Sequence, residues 1–280
     1  MSVNSKQFQC AHPHIAFIDS GIGGMSVLDE VKQTVPNMTV SYFMDNHFLP
    51  YGEQDTEFLV SRLIDIAKFL AATKPDLVVI ACNTASTISL DKLRAKFNLP
   101  FVGVVPAIKP AGAMSVNKHI GVLATKTTVQ GTYIQDLIAN YAADCQVTTL
   151  GSSELVACAE RYFWHENAQE SLFDSFLDSL PDPFPDLSCF AEVDALVLGC
   201  THFPLVKSQL AAKLPSHLKL VDSGQAIARR VKHLLVGEVE RQSKEHSEAS
   251  NILYCSSKLS DAQIQRLKDK GFEGVELVNI

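Results

Sequence analysis

Residues 75–82 read PDLVVIAC, and the run is apolar without alternation from Leu77 to Cys82. A strand with one wet face alternates apolar and polar residues. An uninterrupted run needs cover on both faces, which a parallel sheet between helices supplies. The neighbouring segments fit that arrangement. HIAFID (14–19) and TVSYFMD (39–45) read as strands, and MSVLDEVKQTV (25–35) has helical spacing. TEFLVSRLIDIAKFLAATK (56–74) reads as an amphipathic helix with Leu59, Leu63, Ile66, Ala67 and Leu70 on one face. The helix TASTISLDKLRAKF and the strand PFVGVV follow Cys82. Strand alternating with helix predicts an α/β fold with right-handed crossovers.

The pattern then restarts. HIGVLAT (119–125) parallels HIAFIDS (14–20), QVTTLGS (146–152) parallels TVSYFMD, and VDALVLGCTH (193–202) parallels PDLVVIACNT (75–84). Three matches in one order predict an internal duplication. The expected architecture is two pseudo-symmetric α/β domains with mainly parallel sheets and a cleft between them. The first domain is expected over residues 1–106 and 219–280, the second over 107–218. The segment LVDSGQAIARRVKHLL (220–235) is expected to return to the first domain. The helical, proline-rich stretch around 160–188 reads as a surface insertion, and ERQSKEHSEAS (240–250) as a polar loop.

Composition narrows the function classes. At 280 residues, 46% hydrophobic and 20% charged, the chain is globular. The net charge is −7 and no basic run occurs, which argues against a nucleic-acid partner. A small acidic substrate stays open, because backbone N–H groups can hold it whatever the net charge. No apolar run approaches the roughly 18 residues of a membrane helix. The start, MSVNSKQFQCAHPH, lacks the apolar centre of a signal peptide, so a cytoplasmic location is expected. The 7 cysteines are odd in number, widely spaced and without a CxxC pair, which suits reduced thiols.

Ligands of open α/β sheets bind beyond the carboxyl ends of the strands. Four segments place polar residues there: Asp19-Ser20, Cys82-Asn83-Thr84, Thr125 and Cys200-Thr201-His202. If the duplicated halves face each other, the two cysteines approach one cleft from opposite sides. The plain alternative makes each a buried residue closing a strand. Against it, a helix should start at Cys82. Its N–H groups and dipole would lower the thiol pKa below about 8.5. Asn83 or Thr84 could cap that helix. His202 could be a packed core histidine or a partner of Cys200. A metal centre would need third and fourth ligands at recognisable spacing, which are missing.

Opposed thiols suit one reaction: one thiolate removes a proton from carbon and the other thiol delivers one to the opposite face. A single nucleophilic thiolate and a redox couple remain alternatives, although a couple would need direct contact. DSGIGG (19–24) is ordinary glycine turn chemistry, with no dinucleotide or phosphate-loop fingerprint. Functionally, Asp19 would orient or protonate an amino group while Ser20 and nearby N–H groups hold a carboxylate. Asp45 and Glu160 read most simply as solvated or capping carboxylates.

The ordered set IDSGIGGMSV, PYGE, VIACNTAS, GVLATKTTV, LGCTHFPLV and VDSGQAIARR resembles the glutamate racemases of the cofactor-independent aspartate/glutamate racemase superfamily. The likeness spans about residues 15 to 235. It implies interconversion of L- and D-glutamate by two cysteines, with no pyridoxal phosphate and no metal, to supply D-glutamate for peptidoglycan. By this resemblance Cys82 works on D-glutamate and Cys200 on L-glutamate. Asp19 and His202 assist the two thiols. Substrate contacts fall on Asp19, Ser20, Tyr51, Gly52, Asn83, Thr84, Thr125, Thr201 and His202. Glu160 is a looser match to an acidic residue that some members place near the histidine. A homodimer is common in the family, and some members are activated by a peptidoglycan precursor. Met25 stands where leucine is usual, a conservative apolar change. A relative acting on aspartate is the alternative enzyme. A two-domain binding protein with structural cysteines is the alternative from another class.

Overall fold

The computed structural model describes residues 12–165, 170–178, 186–237 and 250–280. The polar stretch 240–249 and residues 166–169 and 179–185 of the expected insertion lie outside the described residues.

The first half builds in chain order β1 (His14–Asp19), α1 (Met25–Thr34), β2 (Thr39–Met44), α2 (Thr56–Ala72), β3 (Leu77–Ile80), α3 (Asn83–Lys96) and β4 (Phe101–Gly103). The second half follows with α4 (Ile108–Met114), β5 (His119–Ala124), α5 (Lys126–Gln130), α6 (Thr132–Tyr141) and β6 (Gln146–Gly151). It continues through α7 (Glu154–Trp164), α8 (Glu170–Asp178), β7 (Ala195–Leu198), α9 (Lys207–Lys213) and β8 (Lys219–Val221). Then come α10 (Gly224–Gly237), β9 (Ile252–Cys255), α11 (Asp261–Asp269) and β10 (Gly274–Leu277).

Every strand pair is parallel. One sheet has the order β10-β9-β2-β1-β3-β4, the other β6-β5-β7-β8. The orders β2-β1-β3-β4 and β6-β5-β7-β8 are the same, so the duplication holds strand for strand. It reaches individual side chains. His14 Nε2 pairs with Ser41 Oγ across β1–β2, and His119 Nε2 pairs with Thr148 Oγ1 across β5–β6, both at 2.8 Å.

The apolar strands behave as their composition requires. Ile15 and Phe17 of β1 enter one core with α1 and α10, while Ala16 and Ile18 enter another with α2 and α3. Asp55 caps α2 by accepting from the Phe58 N–H, and the expected stripe Leu59, Leu63, Ile66, Ala67 and Leu70 is buried.

One boundary departs from expectation. Residues 219–221 form β8, which pairs with β7 in the second sheet, so the sheets part after Val221 rather than before Lys219. The apolar Leu220 and Val221 extend that sheet just as Phe101 and Val102 extend the first. Residues 252–277, which carry no motif, add β9 and β10 to the open edge of the first sheet and bring α11 with them.

Helix α10 does return to the first half, where it packs on α1 and β4. Its counterpart α4 makes the opposite journey: it follows β4 and packs on α6 and β7. Each half thus lends one helix to the other. The two crossings touch where Ser223 Oγ donates to the Val105 carbonyl at 2.5 Å.

Candidate active site

Because both sheets are parallel, all their carboxyl ends can carry site residues, and those of β1, β3, β5 and β7 converge. One narrow cavity is lined by Ser20 after β1, by Cys82, Asn83 and Thr84 after β3, by Thr125 after β5, and by Gly199, Cys200 and His202 after β7. Pro50, Tyr51 and Gly52, the last two in a single 3-10 turn, and Val156 of α7 complete it. Its interior has room for about one water molecule. Asp19 and Thr201 stand behind this lining. Asp19 is fully buried, and the Thr201 carbonyl accepts a hydrogen bond from Ser26 Oγ at 2.8 Å.

The thiols sit in unlike surroundings. Cys82 is the N-cap of α3. The N–H groups of Ala85 and Thr84 favour its thiolate, as the helix start predicts. Burial overrides them, reinforced by the charge of Asp19, and pushes the Cys82 thiol well above its ordinary value. The expected lowering is therefore reversed in the closed cavity. Cys200 lies 3.7 Å from Nδ1 of His202. Burial opposes protonation of His202, but its bonds to Cys200 and Glu160 prevail and hold the imidazole well above its usual range. Asp19 thus acts on one thiol and the imidazole of His202 on the other.

Glu160 is neither solvated nor a cap. It is buried on α7, and Oε1 accepts from His202 Nε2 and from the Ile22 N–H, each at 2.8 Å. Trp164 Nε1 donates to Oε2 at 3.1 Å. One carboxylate therefore orients the histidine and ties the glycine turn of the first half to the second. The turn has glycines for steric reasons. A Cβ on Gly21 would lie 1.9 Å from Glu160 Oε1, and one on Gly23 would lie 2.4 Å from His202 Nδ1.

Asp45 is also buried, in an ion pair with Arg62, and it accepts from the Tyr51 hydroxyl at 2.9 Å. Sequence reading passed over Arg62, Thr128 and Ser26 as site-forming residues. Thr128 Oγ1 lies 2.9 Å from Thr125 Oγ1 and 3.3 Å from Thr84 Oγ1, so three hydroxyls from both halves cluster beside the thiols. The i, i+3 spacing of Thr125 and Thr128 was the available signal. Asn83 Oδ1 is buried with no hydrogen-bond partner among the described residues. An acceptor buried in this way calls for a donor from a ligand.

Asp19 is pushed up to about 7 by burial, against the lowering effects of His202 and of the Gly24 and Ser20 N–H groups. Those N–H groups donate to Oδ2 at 2.5 Å and to Oδ1 at 2.8 Å. In the unfolded chain the group titrates near 3.8. Between these values the folded state binds a proton that the unfolded state does not. Stability therefore falls as pH rises through this window, by on the order of 4 kcal/mol for this group. Asp19→Asn should flatten that slope. Urea unfolding of both proteins at pH 5 and pH 8 checks it; parallel slopes would show that Asp19 is not the group responsible.

Comparison with known proteins is consistent with this geometry. The chain is 43% identical to glutamate racemase of Histophilus somni over 270 residues, covering 95% of this chain and 97% of that protein. It is 45% identical to glutamate racemase of Pasteurella multocida over 271 residues, covering 96% of each. Among solved structures, Escherichia coli glutamate racemase in complex with L-glutamate and the activator UDP-MurNAc-ala superposes with a TM-score of 0.82. That pair is 39% identical over 95% of this chain and 98% of the other. Residues 15–231 match the Asp/Glu/Hydantoin racemase family, and with duplicated parallel sheets, paired strand-end cysteines and near full-length relatives, the chain belongs to that family.

Proposed function

We propose that the protein interconverts L- and D-glutamate by two proton transfers at one carbon, using Cys82 and Cys200 on opposite sides of the substrate. The observation that carries this reading is the pair itself. Two thiols at matching positions of duplicated halves line one narrow cavity, each with a different ionisable neighbour. Each sheet with its helices is taken as one domain, so the cavity is a cleft between domains.

The electrostatics suggest how a cycle starts. Cys82 favours its thiol form and acts first as the acid. Cys200, paired with the imidazolium of His202, acts first as the base on the L-enantiomer. In reverse the roles exchange, and Asp19 serves the Cys82 side as His202 serves the Cys200 side. Asn83 Oδ1 accepts from the α-ammonium group. Ser20 and the Gly52 backbone supply donors for the α-carboxylate. The hydroxyls of Thr84, Thr125 and Thr128 receive the side-chain carboxylate, which sets glutamate apart from the shorter aspartate. The α-proton is a very weak acid. Fixed donors in a dry cavity are needed to lower its barrier, and they contribute several kcal/mol each way. Since the cavity has room for about one water, the domains must part to admit glutamate.

The product D-glutamate would serve peptidoglycan synthesis in the cytoplasm. The Escherichia coli relative is described with UDP-MurNAc-ala as activator, and we extend that activation to this chain as part of the proposal.

The test is α-hydrogen exchange in deuterium oxide, followed by proton NMR without added cofactor. Glutamate should lose its α-proton signal at least about tenfold faster than aspartate. Exchange with neither amino acid, both with and without UDP-MurNAc-L-alanine, would end the racemase reading. Faster exchange of aspartate would move the substrate to the shorter acid.

A further inference from the structure

Arg62 is the one charged residue in the buried stripe of α2. Burying a guanidinium is costly unless each nitrogen is satisfied, and an apolar side chain of similar length would fill the stripe as well. Here every nitrogen is engaged. Nε and Nη2 hold both oxygens of Asp45 at 3.0 and 2.7 Å, Nη1 donates to the Ile280 carbonyl, and the guanidinium lies over the rings of Phe48 and Phe43. Asp45 is itself fully buried, and its backbone N–H donates to the Asp19 carbonyl at 2.8 Å.

The same Asp45 oxygen that meets Nε accepts from Tyr51. Tyr51 and Gly52 line the cavity, yet the Tyr51 hydroxyl is already committed to Asp45. What this turn offers a ligand is therefore its backbone and the ring face. The turn also reaches the second half, because the Gly52 carbonyl accepts from Thr127 Oγ1. Its position decides the shape of one cavity wall, and the Asp45–Arg62 pair is what holds it from below.

We propose that Arg62 is a positioning residue for the reaction: through the Asp45 carboxylate it fixes Tyr51 and the Tyr51–Gly52 wall against which the substrate is held. The inference deepens the glutamate reading and rests on it for substrate affinity, but not for the position of the wall. A purely structural arginine would stabilise the fold without influencing substrate binding.

The experiment uses the full chain carrying Arg62→Met. KM for both enantiomers should rise about tenfold while kcat changes less than about threefold. The double variant Asp45→Asn/Arg62→Met keeps an acceptor for Tyr51 and removes the unpaired charge, so KM should return to within about threefold of the parent. Arg62→Lys keeps the charge with fewer bonds and should fall between them, and it is read in place of Arg62→Met if that variant does not fold. A second measurement needs no turnover. Iodoacetamide labelling of Cys82, followed by peptide mass spectrometry, should run several-fold faster in Arg62→Met because the wall is loosened. Parental KM together with parental labelling overturns the inference, whatever happens to the melting temperature. An inactive parent protein whose Arg62→Met variant still labels faster would overturn the glutamate reading and leave Arg62 in its positioning role.

Discussion

Replacing either Cys82 or Cys200 by alanine should lower racemisation in both directions by about 10³-fold or more, since in the proposed mechanism each thiol is the acid in one direction and the base in the other. Under that mechanism neither direction proceeds with one partner. The loss should not come from unfolding. Both cysteines sit at the margin of a core, and the cavity left by one sulfur costs about 1 kcal/mol. Cys158 is the internal control. It is buried in the core of the second half, and burial pushes its thiol up to about 12. Cys158→Ala should keep most of the parental rate while perturbing stability to a similar degree. The measurement is circular dichroism of glutamate solutions over time, alongside thermal melts. More than a tenth of the parental rate in either site variant would reduce that cysteine to packing.

Gly23→Ala should lower kcat/KM by about 100-fold, because small displacements of a catalytic group carry penalties of that size. The added Cβ would stand 2.4 Å from Nδ1 of His202, the atom that faces Cys200. The imidazole must then move, and Glu160 holds it from the other side. Gly23 does not have a positive φ, so alanine brings no backbone strain of its own. The variant therefore separates the position of His202 from the stability of the turn. Steady-state kinetics and a melting curve check it. Activity within twofold of the parent, with the fold intact, would remove His202 from the Cys200 side of the reaction.

The parallel sheets and their duplication were legible because buried strands have little freedom. Ile15 to Ile18 and Leu77 to Ile80 are covered on both faces and must read as unbroken apolar runs. The strand-end residues followed from topology alone. Residues 252–277 were not legible. They lie at the sheet edge, where the half-buried Ile252 and the exposed Glu276 leave no continuous apolar signal. The burial of Glu160 was misjudged, and Arg62 missed, for another reason. Their partners Ile22 and Asp45 lie 138 and 17 residues away, and a buried carboxylate reads in sequence like a solvated one. The helix-start argument for Cys82 named the correct favourable groups but omitted burial, which outweighs them.

The exchange of α4 and α10 bears on how the protein can be divided and how it can move. A fragment ending near residue 106 would lack Ile227, Ala228 and Val231 from its core, and one starting near 115 would lack Ile108 and Ala111. Neither half is a self-sufficient folding unit. The two crossings run side by side, joined by Ser223 and Val105. Both connections between the halves cross at this one place, so it is the hinge that the proposed parting of the domains requires. In that proposed cycle the same place sets the register in which Cys82 and Cys200 meet again on closing.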